Sequence, residues 1–526
     1  MTLPLTTHHI TGSDPVFRPT EHSVRVHGLH KKHKRYVHPF YAFSRVSDEF
    51  DRSTSEVNSR RSPGLDPSPE PPLIQQLPAE ILTEIFTYCV CDVTRPPPKE
   101  VDSILREPWT VSQTCQYWRN IVLSFPKLWS YVHLDLSEIQ KKDVILKTNI
   151  PEMLTLWMNR SGSKSPLHIT FNDFAVPTDD IRLRSISRKL ISTLVSRSNR
   201  WAEVSLCLSP SIVHCLSQVR ANIPLLHTFT LKSTDPLAGS PTVKEARLYR
   251  LLVSAPALRN LTLNFSRSFV LDKLQPPYAQ LRFVSARTLA PHVLLSKTHS
   301  IKSASIRAVM FSGFLYSMCS VAICPELTSL ELFVSPILLD FLELPALQHL
   351  SIQYTTEPDD LMRITSLINR SSCFIRTLKL SQVTLPRKQV AMDLFERLPS
   401  LVDLEVSIDK GHSDTFHDFV NALVIKPPPS PTQESNKEEN EVQSNLLTHL
   451  ERIKFECPRR GAYSSNDVKQ LVDMVESRWR LPHKTSAELD NDVVQLKTIH
   501  LAAPALRQER LEMMREEGLE VIGEFY

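Results

Sequence analysis

Between residues 201 and 501 apolar side chains recur at one spacing, L-x-x-L-x-L with other apolar residues allowed, in about eleven copies. They are Trp201/Val204/Leu206, Leu226/Phe229/Leu231, Leu258/Leu261/Leu263, Leu281/Val284/Ala286, Ile301/Ala304/Ile306, Leu327/Leu330/Leu332, Leu347/Leu350/Ile352, Ile375/Leu378/Leu380, Leu401/Leu404/Val406, Leu450/Ile453/Phe455 and Leu496/Ile499/Leu501. Pro224, Pro256, Pro325, Pro345 and Pro399 precede five of them at the same offset. Residues two apart in a strand share a face, so each copy predicts a short strand with one buried side. Proline disfavours helix in the residue before it, which ends a preceding helix where the next strand begins. The unit therefore reads helix, proline, strand, with helices expected over 243–254, 389–397, 415–424 and 468–479. Such units expose apolar faces that only their neighbours cover, so stacked copies are expected to make a parallel sheet with helices outside. A compact α/β domain with the same alternation is the other fold that the pattern allows.

The stretch ahead of these copies has a helical period. In LPAEILTEIFTYCV, from Leu77, Pro78 stands where a first-turn proline is preorganised, and Ile81, Leu82, Ile85, Phe86 and Cys89 form an apolar stripe opposite Glu80, Thr83, Glu84 and Thr87. After a proline-rich link, WTVSQTCQYWRNIV places Val111, Cys115, Trp118 and Val122 at four- and three-residue steps, with Trp109 and Ile121 widening that face. Pro126 then opens a further short turn, with Leu128, Trp129 and Val132 as a third apolar patch. Three helices this small cover one another only partly, so they gain by keeping their remaining apolar surface against a partner.

Taken in order, LPxEIL, IF, a distant CxxWR and a closing LW resemble the F-box, a three-helix motif; here they are Leu77, Pro78, Glu80, Ile81, Leu82, Ile85, Phe86, Cys115, Trp118, Arg119, Leu128 and Trp129. The alternative is a chance amphipathic helical hairpin. The resemblance covers residues 73–136 and implies docking on a Skp-type linker subunit, and through it on a cullin-RING ubiquitin ligase, by Leu77, Pro78, Ile81, Leu82, Ile85, Phe86, Val111, Cys115 and Trp118. The link over 91–108 is longer and richer in proline than is usual between these helices. Arg119 is placed either to meet a carboxylate or to cap surface packing.

Residues 151–526 resemble the irregular leucine-rich-repeat arrays of fungal F-box proteins, including LTLWMNRSGSKSPLHI near the start and RLEMMREEGLEV at the end. Regular repeats keep an Asn eight residues after the first leucine; here the position holds Thr234, Ser266, Ser335, Thr355, Val383 or Asp409, so a ladder of asparagine side chains is not expected. The fold class expected is thus α/β, a short three-helix F-box module followed by a leucine-rich-repeat-like solenoid.

Residues 1–72 are rich in Ser, Pro, His and charge without periodicity, and are expected to form a disordered tail; HGLHKKHKR within it is a solvated basic stretch or an import signal. Residues 426–443 (KPPPSPTQESNKEENEVQ) read as a disordered insertion. The uncharged run 308–324 is at the short limit for a membrane span and reads as a buried repeat helix. With 61 basic and 57 acidic residues scattered along the chain, nothing points to nucleic acid. Nine irregularly spaced cysteines suit reduced thiols, and no secretory leader is visible, so cytoplasmic or nuclear residence is expected. No Gly-rich phosphate loop, GxSxG or HExxH is present, and neither catalysis, cofactor nor metal is expected.

The function expected is that of a substrate-recognition adaptor: the F-box docks on the ligase, and the array binds an unknown client protein. An interaction scaffold acting without a ligase is the alternative. Client contacts are expected from side chains alternating with the buried leucines, namely Asn260, Thr262, Glu331, Phe333, His349, Gln353, Lys379, Glu405 and Lys454.

Overall fold

The computed structural model describes residues 73–524 except 92–107, 137–148, 175–179, 220–221, 234–250, 254, 266–274, 289–290, 309–319, 334–335, 356–359, 384–387, 409–412, 426–444, 457–464, 482–492 and 503–507. The tail of residues 1–72, the insertion at 426–443, the link between the front helices and most of the run 308–324 lie outside the described residues. So does most of the helix expected over 243–254, of which residues 251–253 form a turn.

The architecture is α/β. Front helices α1 (Ala79–Cys91), α2 (Trp109–Ser112) and α3 (Gln116–Ser124) precede β1 (Tyr131–Asp135), α4 (Ile150–Arg160), β2 (Leu167–Asn172), α5 (Ile181–Ser196), β3 (Trp201–Leu208) and α6 (Pro210–Val213). Strands β4 (Thr228–Ser233), β5 (Asn260–Phe265), β6 (Phe283–Thr288) and β7 (Ser303–Ala308) follow, with α7 (Pro291–Lys297) between the last two. Next come β8 (Ala322–Ile323), β9 (Ser329–Leu332), β10 (Leu342–Glu343), β11 (His349–Thr355), α8 (Asp360–Ser371), β12 (Thr377–Val383), α9 (Lys388–Glu396) and β13 (Asp403–Ile408). The chain closes with α10 (Ser413–Ala422), β14 (Arg452–Glu456), α11 (Ser465–Trp479), β15 (Thr498–Ala502), α12 (Glu509–Glu516) and β16 (Glu520–Glu524).

All strands but β8 and β10 join one parallel sheet of 14 strands in chain order, and those two pair separately. The run 308–324 thus ends in a strand, Ala322–Ile323, rather than in a helix. Every apolar position of the eleven copies is buried, from Trp201, Val204 and Leu206 to Leu496, Ile499 and Leu501. Register aligns them into rows: Leu330, Leu350, Leu378, Leu404 and Ile453 stand side by side on successive strands, as do Leu332, Ile352, Leu380, Val406 and Phe455. Replacing Leu378 by alanine should cost about 2–5 kcal/mol, whereas the neighbouring exposed Lys379→Ala loses at most about 1 kcal/mol. Urea midpoints of the two variants would check this, and equal tolerance would contradict the register.

The prolines do more than stop helices. Pro224, Pro256, Pro325, Pro345 and Pro399 each take the second place of a four-residue turn, closed by hydrogen bonds such as Leu226 N to Ile223 O (3.3 Å) and Leu347 N to Leu344 O (3.1 Å). A fixed φ near −65° suits that place, and the turn delivers the next leucine to the core.

Three strands of the large sheet fall outside the eleven copies. β1 carries the same spacing, Trp129/Val132/Leu134, all buried, but in the sequence it is joined to the end of the helical stretch. In β2 and β16 the first interval is one residue shorter, as Leu167/Ile169/Phe171 and Leu519/Val521/Gly523. Of the positions expected to lack an asparagine ladder, Thr355 and Val383 pair at the ends of β11 and β12, and Thr234, Ser266, Ser335 and Asp409 lie outside the described residues.

Arginines instead reach back one unit to take up carbonyls. Arg200 donates to Ser165 O (2.8 Å) and Ser161 O (3.1 Å), and Arg370 to Leu342 O (2.9 Å) and Leu339 O. Arg478, fully buried, donates to Leu423 O (2.6 Å), Leu446 O (2.9 Å) and Leu447 O (3.0 Å), and desolvation lowers its pKa to about 10, so it remains a cation at neutral pH. Its carbonyl partners thus lie on the described residues at either side of residues 426–444.

Asp173, at the end of β2, accepts Ser209 N (2.7 Å) and Ser209 Oγ (2.9 Å) from the loop after β3. Burial raises its pKa to about 6, outweighing these bonds. The fold therefore favours its protonated form, and this group's contribution is complete below pH 3.8 and lost as pH rises toward 6. Asp173→Asn should gain up to about 3 kcal/mol relative to the parent between pH 4 and pH 7. Urea denaturation at both pH values would check it; a constant difference would contradict it.

Candidate functional site

Two surfaces have the exposure that binding requires. On α1, the apolar residues divide into two faces. Leu82 and Phe86 point inward, and Phe86 lies 4.9 Å from the half-buried ring of Trp118. Ile81 (49% exposed), Ile85 (43%) and Tyr88 (77%) point outward at four- and three-residue steps, with exposed Ile74 on the turn just before. Pro78 is exposed beside them; Leu77 is half-buried, its carbonyl accepting Tyr117 Oη (3.1 Å).

The helix expected through 109–122 is broken. Cys115 adopts an extended backbone and caps α3, its Sγ accepting Trp118 N at 3.4 Å. Val111 and Cys115 are half-buried, and Arg119 donates to Gln116 Oε1 (3.1 Å). Trp109 turns away to meet Trp129 (4.8 Å between ring centroids) and Trp157 of α4 (6.4 Å), while Trp129 meets Trp157 at 5.4 Å. Arg160 of α4 stacks over Trp109 (4.3 Å) and Trp129 (4.7 Å). This cluster joins the front helices to the first units of the sheet. Of the docking residues expected from the sequence, Pro78, Ile81 and Ile85 are exposed, Leu77, Val111, Cys115 and Trp118 half-buried, and Leu82 and Phe86 interior. The exposed stripe adds Tyr88 and Ile74; the 81, 85, 88 spacing is the sequence signal for Tyr88.

The second surface is the sheet face opposite the core. Asn260, Thr262, Glu331, His349, Gln353, Lys379, Glu405 and Lys454 alternate with buried apolar residues along their strands, and Phe333 follows the last residue of β9. Asn260 Nδ2 donates to Thr228 Oγ1 (3.1 Å), and His349 Nδ1 meets Thr377 Oγ1 at 3.1 Å. Lys379, Glu405 and Lys454 are register neighbours: Lys379 Nζ lies 2.7 Å and Lys454 Nζ 3.2 Å from Glu405, and Lys454 also pairs with Glu456 (2.5 Å). Partial burial raises the Glu405 carboxyl, but the two ammonium groups outweigh it and hold it below its ordinary value. Glu331, Phe333, His349 and Lys379 border one open hollow of about 610 Å³; Asn260, Thr262, Gln353, Glu405 and Lys454 lie outside it.

The chain matches no protein-family model and no curated protein.

Burial raises the Cys324 thiol to about 11, and the thiols of Cys207 and Cys373 are raised from the same cause. Cys89 is exposed. No helix among the described residues is long and apolar enough to cross a membrane.

Proposed function

We propose that the chain is an F-box-type adaptor: the front helices dock on a Skp-type linker subunit of a cullin-RING ubiquitin ligase, and the leucine-rich-repeat-like array presents a client protein. The observation that carries this reading is the exposed stripe of Ile81, Ile85 and Tyr88 on a helix whose opposite face is already packed by Leu82 and Phe86. Large apolar side chains left outward on a satisfied helix lose free energy in water and recover it under a partner, about 1.5–3 kcal/mol for each one fully covered. The LPxEIL, CxxWR and LW residues supply the resemblance that names the partner. The tryptophan cluster fits the adaptor role, since it packs Trp109 of α2 and Trp129, just before β1, against Trp157 of α4.

Affinity purification of the full chain with a Skp-type subunit and cullin co-expressed tests the reading. Stoichiometric recovery of the linker is the expected result. Recovery of neither subunit would leave a scaffold that acts without a ligase.

A further inference from the structure

The hollow on the outward face owes its depth to the residues chosen along five neighbouring strands, β6, β7, β9, β11 and β12. Register sets their outward side chains in rows. In the first row Ser303 and Ser329 stand between Phe283 and His349, and in the second Ser305 and Ser351 stand on either side of Glu331. Short, half-buried serines between longer side chains leave a floor of hydroxyls under an open volume of about 610 Å³. Among the described residues the charged side chains that line it are Lys379, Arg307 and Glu331. Glu405 takes up the charge of Lys379 at 2.7 Å. Arg307, exposed, holds its guanidinium over the Phe333 ring at 4.2 Å, and Glu331 is half-buried with a serine on each side. Among the described residues neither Glu331 nor Arg307 makes an ion pair. The undescribed residues that follow β6, β7 and β9 (289–290, 309–319 and 334–335) contain no Asp, Glu, Lys or Arg, so they supply neither group with a counter-charge. Arg287, beside Arg307 on β6, donates to Phe265 O (3.4 Å) and lies outside the hollow.

We infer that the hollow takes an extended client segment with a basic and an acidic side chain two residues apart, the base on Glu331 and the acid on Arg307. This rests on the reading that the array face presents a client. Glu331 pairs in register with Ser305, so Arg307 stands on the neighbouring strand and two residues further along. An offset of about 6.6 Å along the strands and about 4.8 Å across them puts the two Cβ atoms about 8 Å apart. Alternate side chains of an extended peptide stand about 6.7 Å apart on one face, and the length of the charged side chains covers the difference. The contact with Phe333 engages the face of the Arg307 guanidinium and leaves its N–H edge for a carboxylate. Serine hydroxyls both donate and accept, which suits a peptide backbone crossing the floor. A wholly acidic segment meets Glu331 and a wholly basic one meets Arg307, so the pair selects against both.

Fluorescence anisotropy of a labelled Lys-Ser-Glu-Ser repeat peptide, titrated with the full chain at low salt, tests the inference against Lys-Ser and Glu-Ser repeats of the same length. The parent is expected to bind the mixed peptide saturably and about tenfold or more tightly than either single-charge peptide. Reversing one charge should move the preference, Glu331→Lys to the Glu-Ser peptide and Arg307→Glu to the Lys-Ser peptide. Gain of a new ligand is a result that loss of folding cannot produce. Lys469→Glu, exposed on α11, should leave all three affinities unchanged. No binding by the parent, equal binding of the three peptides, or an unchanged preference in either charge-reversed variant would each overturn it. Capture of the Skp-type subunit should be the same in the parent and in Glu331→Lys. Peptide binding without linker capture would therefore support this inference and overturn the docking assignment, and linker capture without peptide binding would do the reverse.

Discussion

Replacing Trp129 by alanine should destabilise the chain by about 3–5 kcal/mol, among the largest effects of any single substitution in the front helices. Trp129 is fully buried, meets Trp109 and Trp157 edge to face, carries the Arg160 guanidinium over its ring and donates Nε1 to Val122 O at 2.9 Å. Its loss would leave a cavity, remove the shorter of the two hydrogen bonds that Val122 O accepts, the other coming from Phe125 N (3.4 Å), and leave Arg160 over a site that no longer attracts it. Because the residue touches both α3 and α4, the effect should spread to both sides. Hydrogen exchange should rise together in α1–α3 and in β1–β2. Urea denaturation of the full chain gives the magnitude, and a cost under about 1 kcal/mol would contradict the cluster's role as the joint.

The strands are legible because their signal is local: apolar residues two apart, fixed by the pleat, with a turn proline at constant offset. The strands that break this spacing are hidden for an equally local reason, β2 and β16 by one missing residue and β1 by its attachment to a helical stretch. The bonds of Arg200, Arg370 and Arg478 are not legible at all, since their carbonyl partners lie from 28 to 55 residues away and nothing in the neighbouring sequence marks them. On α1 the helical period is plain, but a helix apolar on two sides does not say which side is buried. Position decides it: Leu82 and Phe86 are buried, Phe86 against Trp118, and Ile81, Ile85 and Tyr88 are left outward. The alternation along the strands, likewise, shows that Lys379 and Arg307 face outward. Only the register shows that Lys379 is matched to Glu405 while Arg307 stands next to Arg287.

That division of α1 sets the second large effect. Ile81→Asp with Ile85→Asp should lower affinity for a Skp-type linker subunit by about a hundredfold or more, because covering an unpaired carboxylate costs several kcal/mol and about 1.4 kcal/mol is a factor of ten. Both positions face solvent, so the free protein should keep its stability within about 1 kcal/mol. Phe86 is a poor place for the same test, since its burial would confound docking with folding. Isothermal titration of the linker subunit into the full chain, parent and double variant side by side with urea midpoints for both, is the most direct test of the adaptor assignment. Saturable binding by the parent and its loss in an equally stable variant is the predicted result; equal binding by both, or none by the parent, would contradict it.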